Sequence, residues 1–215
     1  SLADLYWLLR LFAGDGAFID TIATGPGAER VAYREGTSFG ARDILFGRDH
    51  HLVLAEDRVY MGDSDSFAIG VLGPDGAPTH SIRRLVEPRV VARRELEQAV
   101  RRATDERARL AQRSAELMGG PVAEPDPADF VHRDTYPAFD RLLADSDGNL
   151  WVRAYPAPEA ESHGWSVFDP DGRWLGDVQL PGGLEVYEIG HDHLLARWQD
   201  EFDVDHVRMY RVEKP

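Results

Sequence analysis

Ser166-Val-Phe-Asp-Pro-Asp-Gly-Arg-Trp-Leu-Gly-Asp-Val178 contains two short apolar stretches separated by a turn with an Asp-Gly pair. Two earlier segments superpose on it without gaps, Arg10–Ile22 around Asp15-Gly16 and Gly70–Ile82 around Asp75-Gly76. Asp-Gly favours a β-hairpin because glycine adopts a positive φ at little cost and aspartate tolerates it. The three segments therefore predict three antiparallel hairpins of one kind.

A second motif consists of a tight turn followed by a strand. It occurs in Asp147–Arg153, His191–Arg197 and Asp49–Ala55, and this alignment places His50 and His51 in a turn. Each copy follows an apolar stretch that is predicted as a strand, namely Phe139–Ala144, Val186–Ile189 and Ile44–Phe46. The two motifs together predict an all-β chain of four-stranded antiparallel units, whose strands are named a to d here.

The interval between hairpins indicates an insertion. The aligned aspartates are at 15, 75 and 171, so the second interval is longer by roughly 36 residues, at 89–124. Apolar residues at helical spacing predict an amphipathic helix there, lying on the sheets and ending at Gly119-Gly120-Pro121: Leu96, Val100, Ala103, Leu110 and Leu117. The alternative is a helix that binds a partner or an anionic ligand, given its arginines: Arg93, Arg94, Arg101, Arg102, Arg107, Arg109 and Arg113. The predicted organisation is sheet regions at 1–88 and 125–215 with the insertion between them.

Composition excludes several functional classes. The 215 residues carry a formal net charge of −14, which opposes sequence-independent binding of nucleic acid. There is no cysteine, which excludes disulfides, zinc ribbons and thiol nucleophiles. No apolar run approaches the length of a transmembrane helix.

Asp145-Ser-Asp-Gly-Asn-Leu-Trp-Val152, followed by Trp165–Gly176, resembles the blades of bacterial six-bladed β-propellers, a group that includes NHL-repeat and gluconolactonase-like proteins. Leu184–Gly190 through Val207–Val212 is similar to the last blade of such proteins. The resemblance implies a partial β-propeller of about three four-stranded blades with one helical insertion. It also implies an exported bacterial protein, periplasmic or extracellular in the cell envelope.

The strand count is too small for a closed ring, which needs four to eight blades. It comprises a half-blade from Leu5–Phe12, two whole blades, and a last blade that ends at Val207–Val212 without its outer strand. The chain also begins at Ser1 without an initiator methionine. We expect the C-terminal half of a longer protein; the alternative is that a second copy supplies the remaining blades.

The resemblance also indicates where a ligand would bind. In related propellers the ligand face carries the loops between strands b and c, here Gly62–Phe67, Tyr155–Gly164 and Gln199–His206. These loops are acidic, and the candidate ligand-binding residues are Asp63, Asp65, Glu159, Glu161, His163, Asp200, Glu201, Asp203, Asp205 and His206. Carboxylates suit a divalent cation such as Ca²⁺ or a cationic ligand, whereas simple solvation of acidic loops is the alternative. No cofactor is otherwise expected.

Other conspicuous residues have structural interpretations. Asp145-Ser-Asp147-Gly begins like an EF-hand loop but lacks the later glycine and glutamate, so we expect a hairpin turn. Arg153 and Arg197 occupy equivalent positions and are predicted to pair with acidic residues across a sheet. The tryptophans on predicted strands are expected in the core: Trp151, Trp165, Trp174 and Trp198.

No catalytic residue can be assigned. The sequence has no Gly-x-Ser-x-Gly or nucleotide-binding motif, and its single asparagine, Asn149, does not supply the metal ligands of gluconolactonase-like enzymes. We therefore expect a non-catalytic binding or scaffold protein whose small ligand or protein partner is unknown. The alternatives are a metal-dependent hydrolase or lactonase of the gluconolactonase-like type and a structural domain of a larger signalling or envelope assembly.

Overall fold

A computed structural model describes residues 2–3, 6–35, 38–120, 122, 124–158 and 160–213. This part of the chain is mostly β, with one α-helix, α1 (Arg93–Met118), and a short 3₁₀ turn at Pro127–Asp129. The strands are β1 (Leu2–Ala3), β2 (Tyr6–Phe12), β3 (Phe18–Pro26), β4 (Arg30–Glu35), β5 (Ser38–Asp43), β6 (His50–Leu54), β7 (Val59–Asp63), β8 (Ala68–Leu72), β9 (Pro78–Arg83), β10 (Phe139–Ala144), β11 (Leu150–Ala154), β12 (Ser162–Phe168), β13 (Trp174–Pro181), β14 (Leu184–Ile189), β15 (His193–Gln199) and β16 (Asp205–Arg211).

These elements belong to two compact units. The sheet unit comprises Tyr6–Gly27, Arg48–Glu87 and Pro137–Pro215, and the connection unit comprises Ser1–Leu5, Ala28–Gly47 and Pro88–Tyr136. Antiparallel sheets of two, four, four and three strands follow one another in the sheet unit: β2-β3, β6-β7-β8-β9, β10-β11-β12-β13 and β14-β15-β16. The all-β prediction is confirmed at this level, and these sheet sizes agree with the strand count from the sequence.

The three predicted Asp-Gly hairpins are confirmed. Gly16, Gly76 and Gly172 all have φ near +80°, at 86°, 78° and 82°. In each turn the glycine N–H donates to the carbonyl of the residue three positions earlier. That residue in turn donates its own N–H to the carbonyl of the residue that follows the glycine. The local sequence therefore determines these hairpins.

Asp145 forms the hairpin turn predicted for the Asp145-Ser-Asp147-Gly segment. Its side chain is 6% exposed and accepts hydrogen bonds from the backbone N–H groups of Asp147 and Asn149, at 3.0 and 2.9 Å. It also accepts bonds from Asn149 Nδ2 and Trp151 Nε1, both at 3.0 Å. All four donors come from the turn or the following strand, so this carboxylate holds a hairpin.

Each pair of consecutive full sheets shares a hydrophobic core. The first core combines residues of β7–β9 and of the β7–β8 loop with residues of the next sheet: Tyr60, Phe67, Ile69, Val71 and Ile82 against Phe139, Leu142, Leu150, Val152 and Phe168. The second combines the opposite face of that next sheet with the last one: Trp151, Trp165 and Val167 against Leu184, Val186, Ile189, Leu194 and Ala196. Successive residues of β11 thus enter different cores, as the two-residue period of a strand requires.

The same turn contact recurs between sheets. A Cβ added to Gly76 would collide with Ile22 of the preceding sheet, and one added to Gly172 would lie 3.1 Å from Ile82 of its preceding sheet. Ile22 and Ile82 occupy aligned positions in the repeat. The turn glycines therefore serve sheet packing as well as the positive φ.

Three expectations are wrong in detail. Ile44–Phe46 is not a strand, and Leu45 forms only an isolated bridge to His132. The first strand of this sheet is β6, so His50 and His51 lie on a strand rather than in a turn. Trp174 is 57% exposed and lies outside the core, because a β-bulge in the β12–β13 pairing places it on the face opposite Val178 and Leu180. The β4–β5 hairpin was not predicted at all.

In the connection unit, α1 confirms the predicted helix. Glu95 accepts a hydrogen bond from the Ala92 N–H at its start, and the Gly119 N–H donates to the Ala115 carbonyl at its end. Leu96, Val100 and Ala103 are half-buried. Leu110 and Leu117 are 59% and 79% exposed, because the half-buried line continues through positions 107, 111 and 114 instead.

The remainder of the connection unit is held by charged and aromatic side chains. Arg133 forms a two-pronged ion pair with Glu29, and Arg107 lies over the ring of Phe130 at 4.2 Å. At least one of the arginines that suggested an anionic-ligand helix thus packs inside this unit. Within the described residues no helix is both long enough and apolar enough to span a bilayer.

Gly76→Ala should destabilise the protein more than Gly16→Ala. Both changes place alanine at a positive φ, at a cost of about 1 kcal/mol, but only the Gly76 methyl group must displace Ile22. The expected additional loss in the free energy of unfolding is roughly 1–3 kcal/mol, measured by urea denaturation. Equal losses for the two variants would contradict the packing between sheets described above.

Candidate functional site

The described residues among the predicted ligand residues lie at one end of the last three sheets, where the second strand connects to the third. We name this end the 2–3 end. Antiparallel pairing brings the start of the first strand to this end as well, as shown by the pairs His50 with Asp63 and Leu184 with Trp198. Corresponding ends of consecutive sheets are neighbours, since the rings of His51 and Phe139 lie 5.3 Å apart.

The loops at the 2–3 ends are shorter than predicted, spanning 64–67, 155–161 and 200–204. Asp65, Glu161, Asp200, Glu201 and Asp203 lie in them, and Glu159 lies outside the described residues. Four predicted loop residues belong to strands instead: Asp63 ends β7, His163 is in β12, and Asp205 and His206 begin β16. Strand pairing extends further toward the loops than their polar sequence suggested.

The carboxylates do not converge on one point. Asp65 pairs with Arg48 at 3.0 Å, Asp205 with Arg197 at 3.1 Å, and Asp200 with His206 at 2.8 Å. Within the described residues no group of three or more acidic or histidine side chains is arranged to hold a metal ion. Each of these three carboxylates thus has a cationic or histidine partner nearby, and a divalent-cation site stays a prediction.

Asp203 has a structural role in its loop. Its φ is +59°, the Asp203 N–H donates to the Asp200 carbonyl at 3.1 Å, and Asp200 N–H donates to the Val204 carbonyl at 3.0 Å. This is the bonding pattern of the Asp-Gly turns, with aspartate in the glycine position. Aspartate tolerates the left-handed region better than most residues, which accounts for its presence here.

The predicted structural role of the two arginines is confirmed. Arg153 donates from two nitrogens to the two carboxylate oxygens of Asp140, at 2.7 and 2.8 Å. Arg197 lies 2.6 Å from Glu185. Both acids lie in the first strand of a sheet and both arginines in the second, so the pairing connects neighbouring strands.

Asp140 and Arg153 lie within electrostatic range of two histidines, His51 and His163, and the four residues are named the polar array. The charges of Asp140 and Arg153 act on both His51, in the preceding sheet, and His163. The Asp140 and Arg153 side chains are only 20% and 16% exposed, and both histidines are half-buried. The array therefore consists of half-buried polar side chains from two sheets.

Burial decides the charge of these imidazoles. It lowers the pKa of His51 against the opposing effect of Asp49, Asp140 and Asp63. Burial also lowers the pKa of His163, and Arg153 lowers it further. Both shifts favour the neutral imidazole, which offers one hydrogen-bond donor and one acceptor.

Two residues of the array have aromatic neighbours. The ring of His51 faces Phe139, and the guanidinium of Arg153 lies 5.7 Å from the centre of the Trp165 ring. Beside them the ring of His50 stacks on Trp7 at 4.0 Å. Polar groups set among aromatic rings can orient a small polar ligand.

Of the array, only His163 was selected from the sequence as a ligand residue. Asp140 lies in a strand that was selected only for its apolar residues. His51 was placed in a turn because Asp49–Ala55 was aligned with second strands, whereas β6 is the first strand of its sheet. The polar turn at Ala55–Arg58, closed by the Ala55 N–H donating to the Arg58 carbonyl, was the available signal that His50–Leu54 precedes a hairpin.

The buried histidines predict a specific dependence of stability on pH. Because the folded-state pKa of His51 and His163 lies below the unfolded value near 6.5, the unfolded chain binds more protons and acidification from pH 7 to 5 favours unfolding. Replacing His51 and His163 by glutamine should make the melting temperature fall less between pH 7 and pH 5.

His193→Gln is the control with the opposite sign. Hydrogen bonds with Asp192 and Glu188 raise the pKa of His193, so its contribution to stability is present at low pH and is lost as the pH rises. Its replacement should make acid denaturation steeper. Identical pH profiles for the double variant and the wild type would contradict the neutral state of the array.

The comparisons with known proteins do not assign the chain to a family. No family model matches the sequence, and no curated protein is significantly similar to it. The geometry of the sheets and of the polar array therefore carries the functional argument.

Proposed function

We propose that the sheet unit is part of a β-propeller and that the protein is a non-catalytic binding protein of the NHL or gluconolactonase-like kind. Its sheets are antiparallel, follow one another in chain order and pack face against face through shared cores. The recurring contacts of Ile22 with Gly76 and of Ile82 with Gly172 support one repeated relation between sheets. The sequence resemblance alone is the basis for proposing an exported bacterial protein.

The polar array carries the proposal of a binding site. Arg153 is already paired with Asp140 through two hydrogen bonds, so a charged ligand would have to compete with an existing ion pair. The neutral imidazoles of His51 and His163 provide donors and acceptors without a net charge. The rings of Phe139 and Trp165 are 0% and 1% exposed, so they support these polar side chains from the hydrophobic cores. This combination suits a neutral ligand with several hydroxyl groups, such as a sugar or polyol.

Calorimetric titration with a panel of neutral hexoses, pentoses, hexitols and inositol tests this function. We expect saturable binding of at least one compound, because each imidazole supplies hydrogen bonds that the ligand needs. His51→Ala and His163→Ala should each weaken it by about tenfold, the effect of losing a hydrogen bond to a buried group. His191→Ala is the matched control, since His191 is exposed in the turn at the opposite end of its sheet.

Two outcomes would contradict the proposed function. One is the absence of binding across the panel, and the other is binding that neither array variant affects. Parallel titrations with Ca²⁺, Zn²⁺ and Mn²⁺ address the metal-dependent hydrolase. A rise in melting temperature that is lost in Asp63→Asn or Asp205→Asn would favour that alternative.

A further inference from the structure

Two arginines of the connection unit meet at one carboxylate. Arg42 in β5 places its Nη1 atom 3.1 Å from Asp129 Oδ2, and Arg107 in α1 places its Nη1 atom 3.8 Å from the same oxygen. The first contact is a hydrogen bond, whereas the second is too long to be one. We name these three residues the arginine cluster. Its two guanidinium groups carry more positive charge than one carboxylate can balance.

Arg107 differs from the other arginines of α1 in its neighbours along the helix. Each of the other six has an acidic residue three or four positions away, which is the spacing at which side chains pair on a helix. The residues at these distances from Arg107 are Ala103, Thr104, Leu110 and Ala111. Its positive charge is therefore not balanced within the helix.

The Arg107 guanidinium also has an unused hydrogen-bond donor. Its Nη1 atom is closed off from solvent and has no hydrogen-bond partner among the described residues, although 29% of the side chain is exposed. A polar group withdrawn from water without a partner costs free energy, and the large majority of such groups in proteins have one. An anion placed between the two arginines would supply the acceptor.

Aromatic rings hold both guanidinium groups in position. The Cζ atom of Arg42 lies 4.0 Å from the centre of the Tyr33 ring, and that of Arg107 lies 4.2 Å from the centre of the Phe130 ring. Stacking on a ring occupies the face of a guanidinium and leaves the N–H donors at its edge for an acceptor. The arginine cluster is thus restrained before any ligand arrives.

We infer that Arg42 and Arg107 bind a phosphate group, either as free phosphate or as the monoester of a small molecule. Both Nη1 atoms lie within 3.8 Å of one oxygen, so a single tetrahedral anion can contact both. A phosphate dianion carries the two negative charges that two guanidinium groups require, and its oxygens match their forked donors. The formal net charge of −14 opposes binding of a nucleic acid, which leaves a small phosphate compound as the ligand.

Asp129 holds the place of the phosphate and yields it on binding. Its side chain is 46% exposed at the end of the 3₁₀ turn. That turn is held by Asp126, whose carboxylate accepts from the Ala128 N–H at 2.8 Å and whose carbonyl accepts from the Asp129 N–H at 3.0 Å. The Asp129 side chain can therefore rotate toward water without breaking these bonds of the turn.

Calorimetric titration at pH 8 with inorganic phosphate and with glycerol 3-phosphate tests the inference. We expect saturable binding of at least one of them, and the tighter of the two identifies whether the ligand is free phosphate or a monoester. Arg42→Gln and Arg107→Gln should each weaken binding by more than about tenfold, because each removes a charged hydrogen-bond donor. Arg93→Gln is the matched control, since Arg93 loses the same charge but is 92% exposed and pairs with Glu97.

Asp129→Asn gives a result that loss of folding cannot imitate. It removes the competing carboxylate, so phosphate should bind about threefold more tightly, the effect of one exposed ion pair. Dimethyl phosphate has the same tetrahedral group with a single negative charge, and it should bind more than about tenfold more weakly than the dianions.

Four results would overturn the inference. They are the absence of saturable phosphate binding, unchanged affinity in Arg107→Gln, weaker binding in Asp129→Asn, and equal affinity for dimethyl phosphate. The arginine cluster lies in the connection unit and the polar array in the sheet unit. Phosphate and sugar binding are measured separately, so either proposal can fail alone.

Discussion

Apolar packing between consecutive sheets is the interaction on which the sheet unit depends. A fully buried side chain of the size of Val71 or Phe139 contributes roughly 1.5–3 kcal/mol, whereas an exposed ion pair contributes at most about 1 kcal/mol. A single antiparallel sheet buries little by itself, and here each shared core draws its residues from two sheets. This explains why the apolar residues of β11 alternate between two cores.

Polar interactions fix the position of one sheet relative to the next. Ser64, which is 1% exposed, accepts a hydrogen bond from the Asp49 N–H through its hydroxyl and one from the Ala138 N–H through its carbonyl. It thereby fixes the start of one sheet against the start of the next. That constraint sets His51 beside Phe139, so the polar array is a consequence of sheet packing. The polar array needs residues from both sheets, which explains why no short sequence motif predicts it.

How much the sequence predicts depends on whether the determining contacts are local. Three kinds of element were predicted correctly: the Asp-Gly hairpins, the helix with its glycine end, and the Asp145 turn. Each depends on residues that are close together in the sequence. Arg153 and Arg197 were predicted correctly because their acidic partners lie on the adjacent strand. The environment of His51 was not predicted, because it depends on which strand is first in its sheet. That of Trp174 was not predicted because it depends on a β-bulge in the β12–β13 pairing. The β4–β5 hairpin has neither the Asp-Gly pair nor the second motif of the repeats, and it was missed for that reason.

The central claim is that one relation between sheets is repeated along the chain, and distances between spin labels test it most directly. The chain has no cysteine, so labels can be attached at Ala17→Cys, Ala77→Cys and Arg173→Cys, three exposed and aligned turn positions. Double electron–electron resonance should give the same narrow distance distribution for the 17–77 pair as for the 77–173 pair, and a longer distance for the 17–173 pair. Clearly different distances for the two adjacent pairs, or broad distributions for either, would contradict the account.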